Sequence, residues 1–106
     1  VICSSLTKAA MFGADANWGR VLCAIGYSKA NVDVSKIDVA FTSAAGTVAV
    51  CKNGAGITFS EELAKTILTE CEITIDINLN SGSYSSTAWG CDLTYDYVKI
   101  NGDYRT

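Results

Sequence analysis

The sequence predicts an α+β domain: a mainly antiparallel four-stranded sheet with helices packed on it. Residues 37–41 and 73–79 each alternate apolar and polar side chains, the period of a half-buried strand. A turn and a candidate returning strand follow each of them, and residues 58–71 between the two hairpins carry apolar positions at helical spacing. Two hairpins separated by a helix favour an antiparallel sheet.

The length and composition indicate one packed domain. The 106 residues leave room for a single modest core, and the chain is 49% hydrophobic and 18% charged. The net charge is −3 and the eight basic residues are scattered, so we expect no nucleic-acid partner. The apolar runs are too short to cross a membrane and no secretory leader is visible, so we expect no membrane partner.

The first predicted element is a helix over residues 1–11, with Leu6, Ala9 and Ala10 on one face. Because no capping residue precedes Val1, the sequence indicates that the chain begins inside an element. Asp15 is the predicted N-cap of a second helix that runs to about residue 27. The apolar face of this helix is predicted to hold Trp18, Val21, Leu22 and Ile25.

The first hairpin is predicted to bury one face of each of its strands. That face holds Ile37, Val39 and Phe41 on the first strand, and Val48 and Val50 on the returning strand at residues 47–51. Residues 43–46 form the turn, and the KNGAG segment at 52–56 is predicted to be a loop. KNGAG has neither the lysine placement of a P-loop nor the glycine spacing of a dinucleotide fingerprint.

The second half begins with a predicted capping box of Thr58 and Glu61. The helix that follows has apolar positions at Ala64, Ile67, Leu68 and Cys71. The strand at 73–79 is predicted to turn at 80–82 and return at 84–91. Asp92 is the predicted cap of a last helix, with a strand over residues 95–100 as the alternative. The apolar positions of that helix are Leu93, Tyr97, Ile100 and Tyr104.

The five cysteines stand far apart, with no CxxC pair, and the chain has no histidine, so the sequence holds no zinc motif. Their odd number and apolar flanks predict reduced, buried thiols and a reducing cytosol. A disulfide framework or a reactive thiol is the alternative. Without histidine, a Ser–His or Cys–His nucleophile pair cannot form within this chain. The acidic residues show no calcium-loop spacing.

Two stretches are not explained by local structure alone: FGADANWGR at 12–20 and WGCDLTYDYVKINGDYRT at 89–106. In the first, Asn17, Gly19 and Arg20 have no role in a simple helix–loop–helix corner. A glycine inside a helix costs about 1 kcal/mol relative to alanine, so Gly19 indicates a close backbone approach. The second stretch is rich in aromatic residues, so it either docks in the core, which its composition favours, or lines a site.

Together these stretches resemble the C-terminal part of the ornithine acetyltransferase family, the bifunctional glutamate N-acetyltransferases of arginine biosynthesis. The resemblance covers nearly the whole chain, including GYS at 26–28 and FSEELA at 59–64. It implies that residues 1–106 are a single C-terminal domain, an incomplete portion of a larger, self-cleaving enzyme. In that family the cleavage frees a threonine nucleophile, which takes the acetyl group from N2-acetylornithine and passes it to glutamate. That threonine is expected upstream of this chain.

The resemblance implies two substrate-binding residues in this chain, Asn101 and Thr106, and no catalytic or metal-binding residue. Asp15, Asn17 and Arg20 match a family signature to which no catalytic role is assigned. Gly102 stands where the family usually has alanine, which makes the segment that carries Asn101 and Thr106 more flexible. No cofactor is implied, although acetyl-CoA is a second acetyl donor in bifunctional members.

The implied partners are the α chain and the N-terminal part of the β chain, in an oligomer of αβ units in the cytoplasm. This segment alone is expected to be inactive. Two alternatives remain: a non-catalytic assembly module of the same enzyme, and part of a related self-processing aminopeptidase. The NWGR and DLTYDY motifs argue against the aminopeptidase.

Overall fold

A computed structural model of the chain describes residues 1–28, 32–80 and 86–92. Its four strands form one sheet in the order β3-β2-β1-β4, in which every neighbouring pair is antiparallel. The predicted α+β class and the four-stranded antiparallel sheet are therefore confirmed. In chain order the elements are α1 (Ser5–Phe12), α2 (Trp18–Gly26), a 3₁₀ turn (Val34–Lys36), β1 (Asp38–Ser43), β2 (Gly46–Lys52), β3 (Ala55–Gly56), α3 (Glu61–Leu68) and β4 (Thr74–Asn78).

One of the four predicted strands, the returning strand at 84–91, is replaced in the sheet by a strand elsewhere in the chain. Residues 86–91 of the predicted strand 84–91 form no strand, and the two-residue β3 lies inside the segment predicted to be a loop. Asn53 and Gly54 reverse the chain between β2 and β3, with φ angles of 52° and 75°. An Asn-Gly pair at positive φ is the preferred two-residue hairpin turn, which explains why this segment adds a strand.

The core lies between one face of the sheet and helices α2 and α3. Val39 and Phe41 of β1, and Ile37 directly before it, are at most 1% exposed, as the alternating pattern predicts. Helices α2 and α3 contribute the faces predicted for them with two exceptions: Trp18 is only partly buried against the core, and Cys71 is exposed beyond the end of α3. The buried residues of α2 and α3 are Val21, Leu22, Ile25, Ala64, Ile67 and Leu68.

A bulge in β2 adds a buried residue that alternation does not predict. The register of β1 on β2 shifts between Val39 and Ala40, whose partners are Cys51 and Ala49. Val50 is therefore the extra residue, and both Val50 and Cys51 are buried. A bulge places two neighbouring side chains on the same side of the strand, so Cys51 enters the core.

All three helices begin at residues other than those predicted. Ser4 caps α1, Asn17 caps α2 in place of Asp15, and Ser60 caps α3 in place of Thr58. In each case the capping oxygen accepts the backbone N–H three residues later, which satisfies one of the free donors of the first turn.

The buried face of α1 also differs from the prediction. Thr7 and Ala10 are buried, whereas Leu6 is 63% exposed and Ala9 is exposed as well. The Thr7 hydroxyl donates to the carbonyl of Arg20 in α2, so the buried side of α1 faces α2. In the described ranges, no helix is both long enough and apolar enough to cross a membrane.

Several predictions fall on residues that the structure does not describe. They are the last helix after Asp92, its alternative strand at 95–100, and most of the turn at 80–82.

Candidate functional site

The FGADANWGR stretch forms the corner between α1 and α2. Gly13 closes α1, and its N–H donates to the carbonyl of Ala9 at 3.1 Å. Ala14 then takes a left-handed φ of 52°, and the N–H of Asp15 donates to the carbonyl of Ala10 at 2.9 Å. These bonds satisfy the last carbonyls of α1 and reverse the chain within three residues.

The polar residues of the signature hold the two helices together. Asn17 accepts the N–H of Arg20 at 3.1 Å, and its amide donates to the Asp15 carboxylate at 3.2 Å. The Arg20 guanidinium donates to the carbonyl of Leu6 at 3.0 Å, and the buried Thr7 hydroxyl donates to the carbonyl of Arg20 at 3.3 Å. The hydrogen bonds of Asp15, Asn17 and Arg20 thus build the corner, which is a structural role.

Gly19 does not make the close backbone approach predicted for it. It is the second residue of α2, and a β-carbon there would meet only Asn17 Oδ1, at an ordinary 3.5 Å. The close approach is made by Gly56 of β3, on which the indole of Trp18 lies. A β-carbon on Gly56 would fall 2.9 Å from Cε2 of that ring. Because Gly56 has no side chain, Trp18 of the corner can pack directly on β3 at the edge of the sheet. Nothing in the structure explains Gly19.

A cavity of about 460 Å³ opens where the N-terminal residues, α1, the end of α3 and β4 meet. Its volume is in the range of small-molecule pockets. Most of its wall is apolar, and its charged residues are Lys8, Glu70 and Asp92. Residues 90–92 close one side, so this cavity lies where the C-terminal stretch leaves the described part of the chain.

The segment that closes the cavity packs directly on the N-terminal residues. A β-carbon added to Gly90 would lie 2.5 Å from Cγ1 and 3.0 Å from Cδ1 of Ile2. Real β-carbons do not approach other atoms this closely, so only glycine fits here without movement. Trp89, in contrast, is 87% exposed, so the expected docking of the aromatic stretch in the core is wrong for this residue.

The cysteines differ from their prediction in burial. All five are free thiols, but only Cys51 is buried, and Cys71 lies beyond the end of α3 rather than on its apolar face. Burial raises the pKa of the Cys51 thiol, which lies 3.7 Å from the carbonyl of Ile37. Among the described residues, no three histidine, cysteine or acidic side chains stand together as a metal site.

Sequence reasoning missed a polar junction at the end of β4. The Asp38 carboxylate accepts the N–H of Asn53 at 2.9 Å and the side-chain amide of Asn80 at 3.1 Å. The same Asn80 amide donates to the carbonyl of Lys36 at 2.6 Å. Asn53 and Asn80 both have a φ of 52°, a conformation that asparagine tolerates better than most residues. Two asparagines that follow strands are the only sequence signal for this junction.

The junction predicts a pH-dependent contribution to stability. The Asn53 N–H, and then the Asn80 amide, hold the pKa of Asp38 below its ordinary value. A lowered pKa in the folded state stabilises the fold above the unfolded pKa, and this stabilisation is lost as the pH falls through the folded value. An asparagine at this position could accept only one of the two donors.

We therefore expect Asp38→Asn to lower Tm at pH 7, and the difference from the wild type to shrink as the pH falls towards about 3. Thermal unfolding of both proteins at the two pH values checks this. The pKa of Asp33 is also lowered, but Asp33 is present in both proteins, so its effect on the Tm difference cancels. A Tm difference that is equal at both pH values contradicts the assignment.

The residues for which substrate binding is expected, Asn101 and Thr106, lie outside the described residues, as does Gly102. Within the described part of the chain, the cavity and the Gly90–Ile2 contact are the features nearest in sequence to Asn101.

Comparison with known proteins gives one consistent result. The model of the ArgJ family matches residues 1–106. The chain is 57% identical over its full length to the arginine biosynthesis bifunctional protein ArgJ 1 of Clostridium acetobutylicum, of which it covers 26%. It is 46% identical over 97% of its length to the glutamate N-acetyltransferase of Methanopyrus kandleri, again covering 26%. The chain thus spans about a quarter of the length of these relatives.

The fold agrees with a solved structure from the same family. The crystal structure of the arginine biosynthesis bifunctional protein argJ from Bacillus halodurans matches with a TM-score of 0.89 and 46% identity, over 98% of this chain and 47% of that one. The sequence resemblance on the two unusual stretches is confirmed by these matches. The chain belongs to the ArgJ family.

Proposed function

We propose that this chain is the C-terminal part of the β chain of a glutamate N-acetyltransferase that acts in arginine biosynthesis. The observation that carries the proposal is the family match over residues 1–106, with relatives named for arginine biosynthesis and for glutamate N-acetylation. The complete enzyme takes the acetyl group from N2-acetylornithine, releases ornithine and transfers the acetyl group to glutamate.

The chemistry suits a chain without histidine. A threonine at the N-terminus of the β chain, upstream of Val1, attacks the acetyl carbonyl, and its own α-amino group accepts the hydroxyl proton. The amine of ornithine leaves with a proton, and an acetyl ester remains on the threonine. The amine of glutamate then attacks the ester, which forms N-acetylglutamate and restores the hydroxyl.

In this proposal the present chain binds the amino-acid part of both substrates. The side-chain amide of Asn101 offers a donor and an acceptor to the amino and carboxylate groups, and Thr106 offers a hydroxyl donor and acceptor. The corner residues Asp15, Asn17 and Arg20 keep a structural role, because their polar groups bond to one another and to α1.

The α chain and the rest of the β chain are the proposed partners, in an oligomer of αβ units. The chain covers 47% of the solved homologue but about 26% of the curated relatives. The solved homologous chain is thus little more than half as long as those relatives, which supports a precursor that is cut into two chains. We place the enzyme in the cytoplasm, without a cofactor, and with acetyl-CoA as a second donor if it is bifunctional.

The covalent step is tested by mass spectrometry of the complete enzyme. Incubation with N2-acetylornithine alone should leave one acetyl group on the N-terminal threonine of the β chain, and added glutamate should remove it. An enzyme that forms N-acetylglutamate only when both substrates are bound together, without an acetylated threonine, would refute the covalent mechanism.

Replacing Asn101 with alanine tests the substrate role of this chain. Loss of a hydrogen bond to a charged group costs about 1.5–3 kcal/mol, so the KM for N2-acetylornithine should rise by about tenfold to a hundredfold. Self-cleavage should be intact, because Asn101 does not take part in it. The measurement is the steady-state kinetics of the complete enzyme. Unchanged KM and kcat would contradict the substrate-binding role of Asn101.

A further inference from the structure

The two N-terminal helices carry apolar side chains that no described part of the chain covers. Leu6 of α1 is 63% exposed, and Ala9, one turn later on the same side of the helix, is exposed as well. On α2, Cys23 is exposed, and Tyr27 directly after the helix is 89% exposed. We call these four residues the α1–α2 face.

The four residues belong to one surface because Arg20 joins the two helices. Cys23 and Tyr27 lie one and two turns after Arg20, at the spacing that keeps residues on one side of a helix. The Arg20 guanidinium donates to the carbonyl of Leu6 at 3.0 Å, and the Thr7 hydroxyl donates to the carbonyl of Arg20 at 3.3 Å. The outward side of α2 therefore continues onto the Leu6 end of α1.

The α1–α2 face lacks the charges that a surface helix normally turns towards water. Lys8, the only charged residue of α1, lines the cavity. Arg20, the only charged residue of α2, has its guanidinium bonded to a backbone carbonyl of α1. Helix α3, which packs on the same sheet, exposes Glu61, Glu62 and Lys65. This contrast indicates that α3 faces water in the complete protein and that the α1–α2 face is covered.

We infer that the α1–α2 face is the docking surface for the N-terminal part of the β chain, the segment that precedes Val1 in the complete enzyme. This inference rests on the proposed function, in which residues 1–106 are the C-terminal part of that β chain. The lengths of the relatives support it. The chain covers 47% of the solved homologous chain, so a little more than half of that chain lies outside the match and is available to cover this face.

Connectivity and chemistry both favour this occupant. The N–H of Ser4 donates to the carbonyl of Val1 at 3.0 Å, and α1 begins at Ser5, one residue before Leu6. A segment that precedes Val1 is therefore joined to the chain close to the face, and consecutive elements usually lie side by side, which favours it over a second copy. Permanent interfaces are also more apolar than transient ones, which favours it over a partner that binds and leaves.

Cys23 reports whether the face is covered. In the native complete enzyme, a maleimide should label Cys23 at least about tenfold more slowly than the thiol introduced by Thr66→Cys, because a covered thiol reacts only when the contact opens locally. Thr66 is exposed on α3 and provides the matched control. In urea the two thiols should react at rates within about twofold of each other, because neither is covered and both are ordinary thiols. Mass spectrometry of the labelled peptides over time gives the rates.

A photo-crosslinker identifies the occupant. In the complete enzyme, p-benzoylphenylalanine in place of Tyr27 should crosslink to a peptide from upstream of Val1 in the same β chain. The same amino acid in place of Thr66 should give no such product. Mass spectrometry identifies the peptides. On a denaturing gel, a crosslink within one β chain keeps the mass of a single chain, whereas a crosslink to the α chain or to a second copy raises it.

The inference is overturned if Tyr27 crosslinks to the α chain or to a second copy, if its crosslinks stay within residues 1–106, or if it gives none. It is also overturned if Cys23 is labelled as fast as the control thiol. Labelling and crosslinking do not depend on activity, so acetyl transfer by the wild-type enzyme tests the proposed function separately. Transfer without the upstream crosslink overturns the inference alone, whereas an enzyme that transfers no acetyl group overturns the proposed function.

Discussion

Replacing Phe41 with alanine should lower the free energy of unfolding by about 3–5 kcal/mol, the usual cost of removing a buried phenylalanine side chain. Phe41 is 0% exposed on the central strand β1, where it pairs with Val48 of β2 and Ile75 of β4. Its ring therefore fills the middle of the core, and few neighbours can move into the space that it leaves.

Urea unfolding of the chain, with and without Phe41→Ala, gives the measurement. Thr74→Ala is the matched control on the same sheet, because Thr74 is exposed, and its cost should stay within about 0.5 kcal/mol. If Phe41→Ala costs no more than this control, the core does not lie on the predicted face of the sheet.

Gly54→Ala should lower the free energy of unfolding by about 2–4 kcal/mol, because backbone strain and overpacking add at this position. Gly54 has a φ of 75°, which alanine rarely adopts. A β-carbon there would also overlap the carbonyl of Val34 and lie 2.9 Å from Cα of Ser35. Both obstacles are backbone atoms of the 3₁₀ turn, so no side-chain rotation can relieve them.

Thermal unfolding of Gly54→Ala beside Gly26→Ala separates this effect from the general effect of adding a methyl group. Gly26 lies in open space at the end of α2, where alanine should be neutral or stabilising by up to about 1 kcal/mol. Equal Tm values for Gly54→Ala and the wild type would mean that the Asn-Gly turn does not pack on the 3₁₀ turn.

The strand pattern was the most predictable part of the fold. Ile37, Val39 and Phe41 are buried as their alternation predicts, because a side-chain period of two leaves only one way to cover an apolar face. Cys51 departs from the alternation because it lies at a bulge in β2. A bulge arises from the pairing of two strands, so the side-chain pattern of one strand cannot predict it.

The helix starts were less predictable, because capping candidates stand close together at each of them. Asp15 and Asn17 both precede α2, and Thr58 and Ser60 both precede α3. In both cases the residue adjacent to the helix is the cap, since only its side chain reaches the N–H three residues later. The Asn-Gly pair at 53–54 is a hairpin signal, and it accounts for the strand found inside the predicted loop.

The site was predictable only in part. The polar residues of FGADANWGR identify the family, although the structure uses them to join two helices. The approach of Gly90 to Ile2 spans almost the whole chain, and no local pattern encodes such a contact. Asn101 and Thr106 rest on the family resemblance, because an asparagine or a threonine near a chain end has no chemical signature of its own.

The most direct test follows a labelled acetyl group from N2-acetylornithine to glutamate in two samples, the complete enzyme and the 106-residue chain alone. We predict labelled N-acetylglutamate and free ornithine from the complete enzyme, and no transfer by the isolated chain, because the proposed threonine nucleophile is not among its residues. Peptide hydrolysis by the complete enzyme without acetyl transfer, or transfer by the isolated chain, would contradict the proposed function.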